Sequence, residues 1–157
     1  MKIRIITDSA SEMVSSEHLT VLPLTITFGT TEYADGVTLS HQKFYEKLIE
    51  SDELPTTSQV TPFAFIEALK EAQANGEYAI IITLSSKLSG SHNAAMIGRD
   101  LALEEAPDKK IHVFDSESAC AGETYLALMI HDLIAAGKSF EQIVELVEEK
   151  IRSMHTL

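Results

Sequence analysis

The feature that most restricts this chain is Tyr78–Thr83, YAIIIT, whose Ala79-Ile80-Ile81-Ile82 is an unbroken apolar run. It has no helical period and is too short to cross a membrane, so it predicts a strand buried on both faces, as in parallel sheets covered by helices. Ser85, Ser86, Ser89, Gly90 and Ser91 follow, and a helical pattern opens at about His92 and runs to Glu105. A strand, a hydroxyl-rich loop and a helix N-terminus in that order bring together amide donors, hydroxyls and the positive end of a helix dipole. A single serine there reads first as a helix cap. Four serines and a glycine within seven residues, at the C-terminal end of a central strand, point instead to an anion-binding edge.

The remaining pattern alternates strand and helix. Ile3, Ile5 and Ile6 form a strand ending in Thr7-Asp8-Ser9-Ala10-Ser11, and LTVLPLTITF over Leu19–Phe28 is β-rich and split by Pro23. Gly29 and Tyr33-Ala34-Asp35-Gly36 read as turns. Ser40 caps a helix over HQKFYEKLIES, with Phe44, Leu48 and Ile49 on one face. Pro55–Val60 is a polar connector without periodicity, after which Thr61 and Pro62 open a helix to about Ala74. Ile111, Val113 and Phe114 form a further strand that ends in Asp115-Ser116. A helix from about Ala119 to Ala136 follows, and Ser139 with Gln142 makes a capping box for the last helix. The pattern predicts one α/β domain over residues 1–157, three layers α/β/α around a mainly parallel sheet.

In such a sheet the loops Asp8-Ser9, Ser85–Ser91 and Asp115-Ser116 share one edge, where Thr56–Gln59 can join them. Asp8 and Asp115 read equally as turn formers or caps. No metal is expected: His18, His41, His92, His112, His131 and His155 form no pair at ligand spacing, and Cys120 stands alone. Cys120 reads as a small buried hydrophobe beside Ala119, Ala121 and Gly122. The phosphate-loop patterns and the G-x-S-x-G elbow are absent, so neither a nucleotide cofactor nor a nucleophilic serine is indicated. A net charge of -12 disfavours nucleic acid and anionic lipid surfaces. One cysteine and no signal-peptide pattern fit a cytoplasmic setting.

The chain resembles the DegV family of bacterial fatty-acid-binding proteins through TDSAS, VLPLTITFG, YADGVTLSHQKFYEKL, LPTTSQVTP, IIITLSSKLSGSHNAA and VFDSESACAG, all in order. Ser91-His92-Asn93 departs from the family's usual threonine, aromatic residue and glutamine, while Ser89 and Gly90 are kept. The resemblance implies a Rossmann-like first domain of a two-domain protein, with the second domain absent from this chain. It also implies a non-catalytic carrier of a long-chain fatty acid that presents the carboxylate to an acyl kinase. By motif, Thr57 and Ser89 hold the carboxylate, with Ser58 and Gly90 as backbone neighbours and Asp8, Ser9, Ser91, Asp115 and Ser116 at the site edge. Burying about 14 methylenes at ~0.8 kcal/mol each gives on the order of 11 kcal/mol. A hydrogen bond to a charged group nets only about 1.5–3 kcal/mol, so the tail dominates affinity. Phe28, Phe63, Ile97 and Leu128 are apolar candidates for lining it. The competing reading is an enzyme domain for a phosphorylated or carboxylated metabolite, with Asp8 and Asp115 as acid–base or magnesium groups.

Overall fold

The computed structural model describes residues 2–154; His155 lies outside the described residues. Strand β1 (Ile3–Asp8) leads through a 3-10 turn at Ser9–Ser11 to β2 (Leu19–Leu22). Then come β3 (Thr25–Phe28), β4 (Thr31–Ala34), α1 (His41–Glu50), β5 (Thr56–Ser58) and α2 (Pro62–Ala74). The chain continues with β6 (Tyr78–Thr83), α3 (Ser91–Glu105), β7 (Ile111–Asp115), α4 (Ala121–Ala135) and α5 (Phe140–Ser153).

Four strands form a wholly parallel sheet in the order β2-β1-β6-β7. Alternate residues of its strands enter opposite layers, as the strand pleat requires. Ile6, Ala79, Ile81 and Val113 pack with Phe65, Leu69, Ala94 and Ala95 of α2 and α3. Ile5, Ile80, Ile82 and Phe114 pack with Leu126, Ile130, Ile143 and Val147 of α4 and α5. Both faces of the Ala79–Ile82 run are thus filled, and the molecule is a three-layer α/β/α fold. Gly98 lets α3 approach α2 closely: a Cβ there would lie 2.9 Å from the Phe65 Cβ. The capping box at Ser139 and Gln142 is present.

A second sheet, antiparallel and ordered β4-β3-β5, follows directly from β2. Two expectations change here. Tyr33 and Ala34 belong to strand β4 rather than to a turn, and Thr56–Ser58 is strand β5 rather than an irregular connector. These strands are short and largely exposed, and β5 is wholly polar, so neither shows the apolar alternation that marks a half-buried strand. Helix α1 buries no residue fully; Phe44 packs on Phe28 with ring centroids 5.9 Å apart, while Ile49 is exposed. Among the described residues no helix is long and apolar enough to cross a membrane.

Candidate functional site

The C-terminal ends of β1, β6 and β7 lie side by side, and their loops are tied together. The Ser85 amide donates to the Ser118 carbonyl at 2.8 Å, the Ser116 amide to the Thr83 carbonyl at 3.2 Å, and the Cys120 amide to the Ala10 carbonyl at 3.1 Å. The small sheet is held to the same edge by the Leu24 amide, which donates to the Ser9 hydroxyl at 2.9 Å.

Where this sheet meets the loop after β6, a cavity of about 410 Å³ is lined by Thr57, Ser58, Gln59, Ser89, Gly90, Leu24, Leu84 and Leu88. The four residues named from the sequence as ligand contacts therefore share one wall system, although Thr57 and Ser89 lie 32 positions apart. Gly90 lets the Gln59 side chain lie against the loop: a Cβ would fall 1.8 Å from the Gln59 Oε1, so a larger residue there would displace that amide. Helix α3 starts behind Gly90, an N-cap without a side chain, and the Ser89 hydroxyl accepts the first helical amide, that of Ser91, so the positive end of its dipole lies beside the cavity.

The proton pattern of the two serines follows from burial. The Ser91 hydroxyl oxygen is fully buried and accepts the Val60 amide at 3.1 Å. The Ser89 hydroxyl oxygen lies 3.1 Å from it and accepts the Ser91 amide at 3.2 Å. Were Ser89 the donor between the hydroxyls, the buried Ser91 proton would lack an acceptor, a loss of about 1–3 kcal/mol. Donation from Ser91 to Ser89 satisfies both groups and leaves the Ser89 proton, on a half-buried side chain, free for the cavity.

A second cavity of about 440 Å³ shares Leu24 and Thr57 with the first. Ile26, Phe44 and Tyr45 give it an apolar wall, while Ser9, Glu12, Asp35 and His41 stand among its lining residues. Of the apolar candidates named from the sequence, Phe28 lines a different cavity with Tyr33 and Lys47. Phe63, Ile97 and Leu128 are exposed on α2, α3 and α4 and line neither shared-wall cavity. Leu24, Gln59, Leu84 and Leu88 also line the first cavity; Gln59 and Leu88 lie inside the stretches Thr56–Gln59 and Ser85–Ser91 placed at this edge from the sequence but are not singled out there, and Leu24 and Leu84 are missed.

The edge residues Asp8, Ser91, Asp115 and Ser116 support the loops and line neither of the two cavities. Asp8 is fully buried, with one carboxyl oxygen accepting the Ala10 amide at 3.1 Å and the other the Leu84 amide at 2.9 Å. Ser116 is buried and donates to the Ser118 carbonyl at 3.1 Å. Asp115 accepts the Ser86 hydroxyl, the Ser86 amide at 3.1 Å and the Glu117 amide at 3.0 Å. Desolvation pulls the Asp115 carboxyl up, but the Ser86 hydroxyl, the two amides and His92 together hold it below the ordinary aspartate value. Cys120 is exposed, not buried, and it lines the apolar cavity; desolvation and then Glu12 and Glu123 push its thiol up, away from the reactive thiolate. Among the described residues no three His, Cys, Asp or Glu side chains are grouped to hold a metal ion.

The fold and its edge define a class: an α/β domain with a hydroxyl-lined cavity that shares Leu24 and Thr57 with an apolar one at the C-terminal ends of a parallel sheet. The DegV family model matches residues 2–157. The chain is 36% identical over 155 residues to a DegV domain-containing protein of Caldanaerobacter subterraneus, covering 96% of this chain and 53% of that one. It superposes with a TM-score of 0.86, at 34% identity, on a Ruminococcus gnavus DegV family protein whose crystal structure holds vaccenic acid; 95% of this chain and 54% of that one are covered. The Streptococcus pneumoniae Fatty Acid Kinase B3 protein, loaded with linoleic acid, gives a TM-score of 0.88 at 29% identity, covering 97% and 55%. The chain belongs to the DegV family, and it spans about half the length of the curated relatives it matches.

Proposed function

We propose that this chain is the first domain of a two-domain carrier that binds a long-chain fatty acid and presents its carboxylate, without catalysis of its own, to an acyl kinase in the cytoplasm. The observation that carries the reading is the shared wall: Thr57 and Leu24 line both the hydroxyl cavity and the apolar cavity. The carboxylate accepts the free Ser89 proton and the Thr57 hydroxyl, with Ser58 and Gly90 beside it, and the tail passes Leu24 toward Ile26, Phe44 and Tyr45. Donors without a fixed cation orient an anion and leave it reactive toward a phosphoryl donor.

The bound vaccenic and linoleic acids of two relatives, one of them a protein of a fatty acid kinase system, support the same ligand and partner. The competing enzyme reading gains nothing from Asp8 and Asp115, because the oxygens of each are occupied by loop amides or a hydroxyl. Organic extraction of purified protein followed by mass spectrometry tests the proposal. Fatty acids in stoichiometric amount are expected, and an empty extract together with magnesium-dependent turnover of a metabolite would overturn it.

A further inference from the structure

The two cavities rest on one buried carboxyl. Through its two oxygens Asp8 holds Ala10, which lines the apolar cavity, and Leu84, which lines the hydroxyl cavity. From α4 the fully buried Glu123 accepts the hydroxyl of the adjacent Thr7 through Oε1 at 2.9 Å, leaves Oε2 buried without a hydrogen-bond partner, and interacts with the Asp8 carboxyl. Two ionised carboxylates in one dry site repel strongly, and such pairs keep a proton.

Among the described residues, the elements packed around the pair offer no counter-charge. On β1 the other ionisable group is Arg4, which pairs with Glu77. The Ser9–Ser11 turn has none, and β6 carries only Tyr78 at its opposite end. On α4 Tyr125, His131 and Asp132 are exposed. The charged residues of α5, Glu141, Glu145, Glu148, Glu149, Lys150 and Arg152, lie outside its buried face of Ile143 and Val147. Cys120 is close enough to feel Glu123 but is not a cation.

We infer that Glu123 is a positioning residue of the binding site: its carboxyl keeps a proton, directs it at Asp8, and thereby holds the Asp8 bonds that set the walls of both cavities. The inference rests on the fatty-acid reading for its functional half and on geometry for its proton. Burial first, and then the Asp8 carboxylate, push Glu123 up to about 10, and burial also raises Asp8. An acid with a raised value stabilises the fold fully below its ordinary titration near 4.5, and that contribution is lost as pH rises through about 10.

The test compares the wild-type chain with Glu123→Gln, Glu123→Leu and the milder Thr7→Val, which removes the hydroxyl that orients Glu123. Urea unfolding between pH 5 and 9 and oleic acid affinity, corrected to the folded fraction, are the two readouts. One retained proton makes the wild-type unfolding constant rise about tenfold more per pH unit than that of Glu123→Gln. Glu123→Gln, which can still donate to Asp8 and accept from Thr7, is expected to keep its affinity. Glu123→Leu is expected to lose about tenfold, the worth of one hydrogen bond, with Thr7→Val losing less. Equal pH slopes in wild type and Glu123→Gln would overturn the shared proton. Unchanged affinity in both folded Glu123→Leu and Thr7→Val would overturn the positioning role. Absence of oleic acid binding by the wild type would overturn the fatty-acid reading and the positioning role together, with the pH slope still reporting the proton.

Discussion

The Ser89 and Ser91 hydroxyl oxygens stand 3.1 Å apart, and the buried one of the pair also accepts the Val60 amide. Ser91, the first residue of α3, is therefore the peg that holds the segment following β5. Ser91→Ala leaves the Val60 amide buried without an acceptor, so it is expected to lower stability by about 1–3 kcal/mol. Urea denaturation of the two proteins measures this directly. An unchanged midpoint and slope would mean that the peg carries no load.

Gly98 makes a prediction about the helix layer. A Cβ there would sit 2.9 Å from the Phe65 Cβ and 3.5 Å from the Ile66 nitrogen and the Pro62 carbonyl oxygen. Two of these three atoms are backbone and the third is the root of a fully buried ring, so nothing flexible can yield. Overpacking of this kind costs about 1–3 kcal/mol, more than Ala gains over Gly in helix propensity. Gly98→Ala is expected to melt at lower temperature than wild type, and a stabilised variant would contradict the packing described.

Asp115 gives a prediction in pH. Its carboxyl is held below the ordinary aspartate value of 3.8, desolvation opposing and the Ser86 hydroxyl, the Glu117 and Ser86 amides and His92 prevailing. A depressed group stabilises the fold above its unfolded value and loses that contribution as pH falls from about 3.8 through the folded value. Asp115→Asn is thus expected to be less stable than wild type at neutral pH, with the gap closing in acid. A gap that stays constant down to pH 2.5 would show that the charge of Asp115 is not what holds the Ser86 turn.

The layers were legible in the residues because the dominant signals are local. Ala79–Ile82 announced a strand buried on both faces, and Ser139 with Gln142 announced a helix start. Two strands of the small sheet are hidden: Thr31–Ala34 is half turn signal, and Thr56-Thr57-Ser58 is exposed and polar and becomes a strand only by pairing with Thr25–Thr27. Thr57, Ser58, Ser89 and Gly90 were reached by motif, and the structure brings them to one cavity. The apolar wall is not reached, because Phe63, Ile97 and Leu128 look like core by type yet lie on exposed helix faces, whereas Leu24 and Ile26 sit in the β-rich stretch Leu19–Phe28, whose place at the site the sequence does not show. Glu123 gave no sign, since a carboxylate at that point of α4 ordinarily faces water.

The half-length of the chain relative to its relatives leads to a comparison of affinity. If a second domain completes the head-group contacts and covers the site, this chain alone is expected to bind oleic acid more weakly than a full-length relative measured side by side. Equal affinity would count against the two-domain reading.

The sharpest test joins Ser89 to Thr57. If the tail supplies most of the free energy and the hydroxyls fix the carboxylate, Ser89→Ala removes one charge-assisted hydrogen bond and is expected to weaken fatty acid binding by about 1.5–3 kcal/mol. Stability is a separate matter, because the Ser91 amide that Ser89 accepts at 3.2 Å lies in the first turn of α3; a lost cap costs about 1 kcal/mol of folding free energy. Thr57→Val keeps the shape of β5, and its exposed hydroxyl can be lost with little effect on the fold. Two hydroxyls on one carboxylate are coupled, since a head group released from one is already free to leave the other, so the double variant is expected to lose less than the sum of the singles. Melting and oleic acid titration on the four proteins of this cycle separate the outcomes. Strictly additive affinity losses would place the two hydroxyls on different groups. A Ser89→Ala variant that loses stability but keeps its affinity would leave Ser89 as a support of the helix start alone.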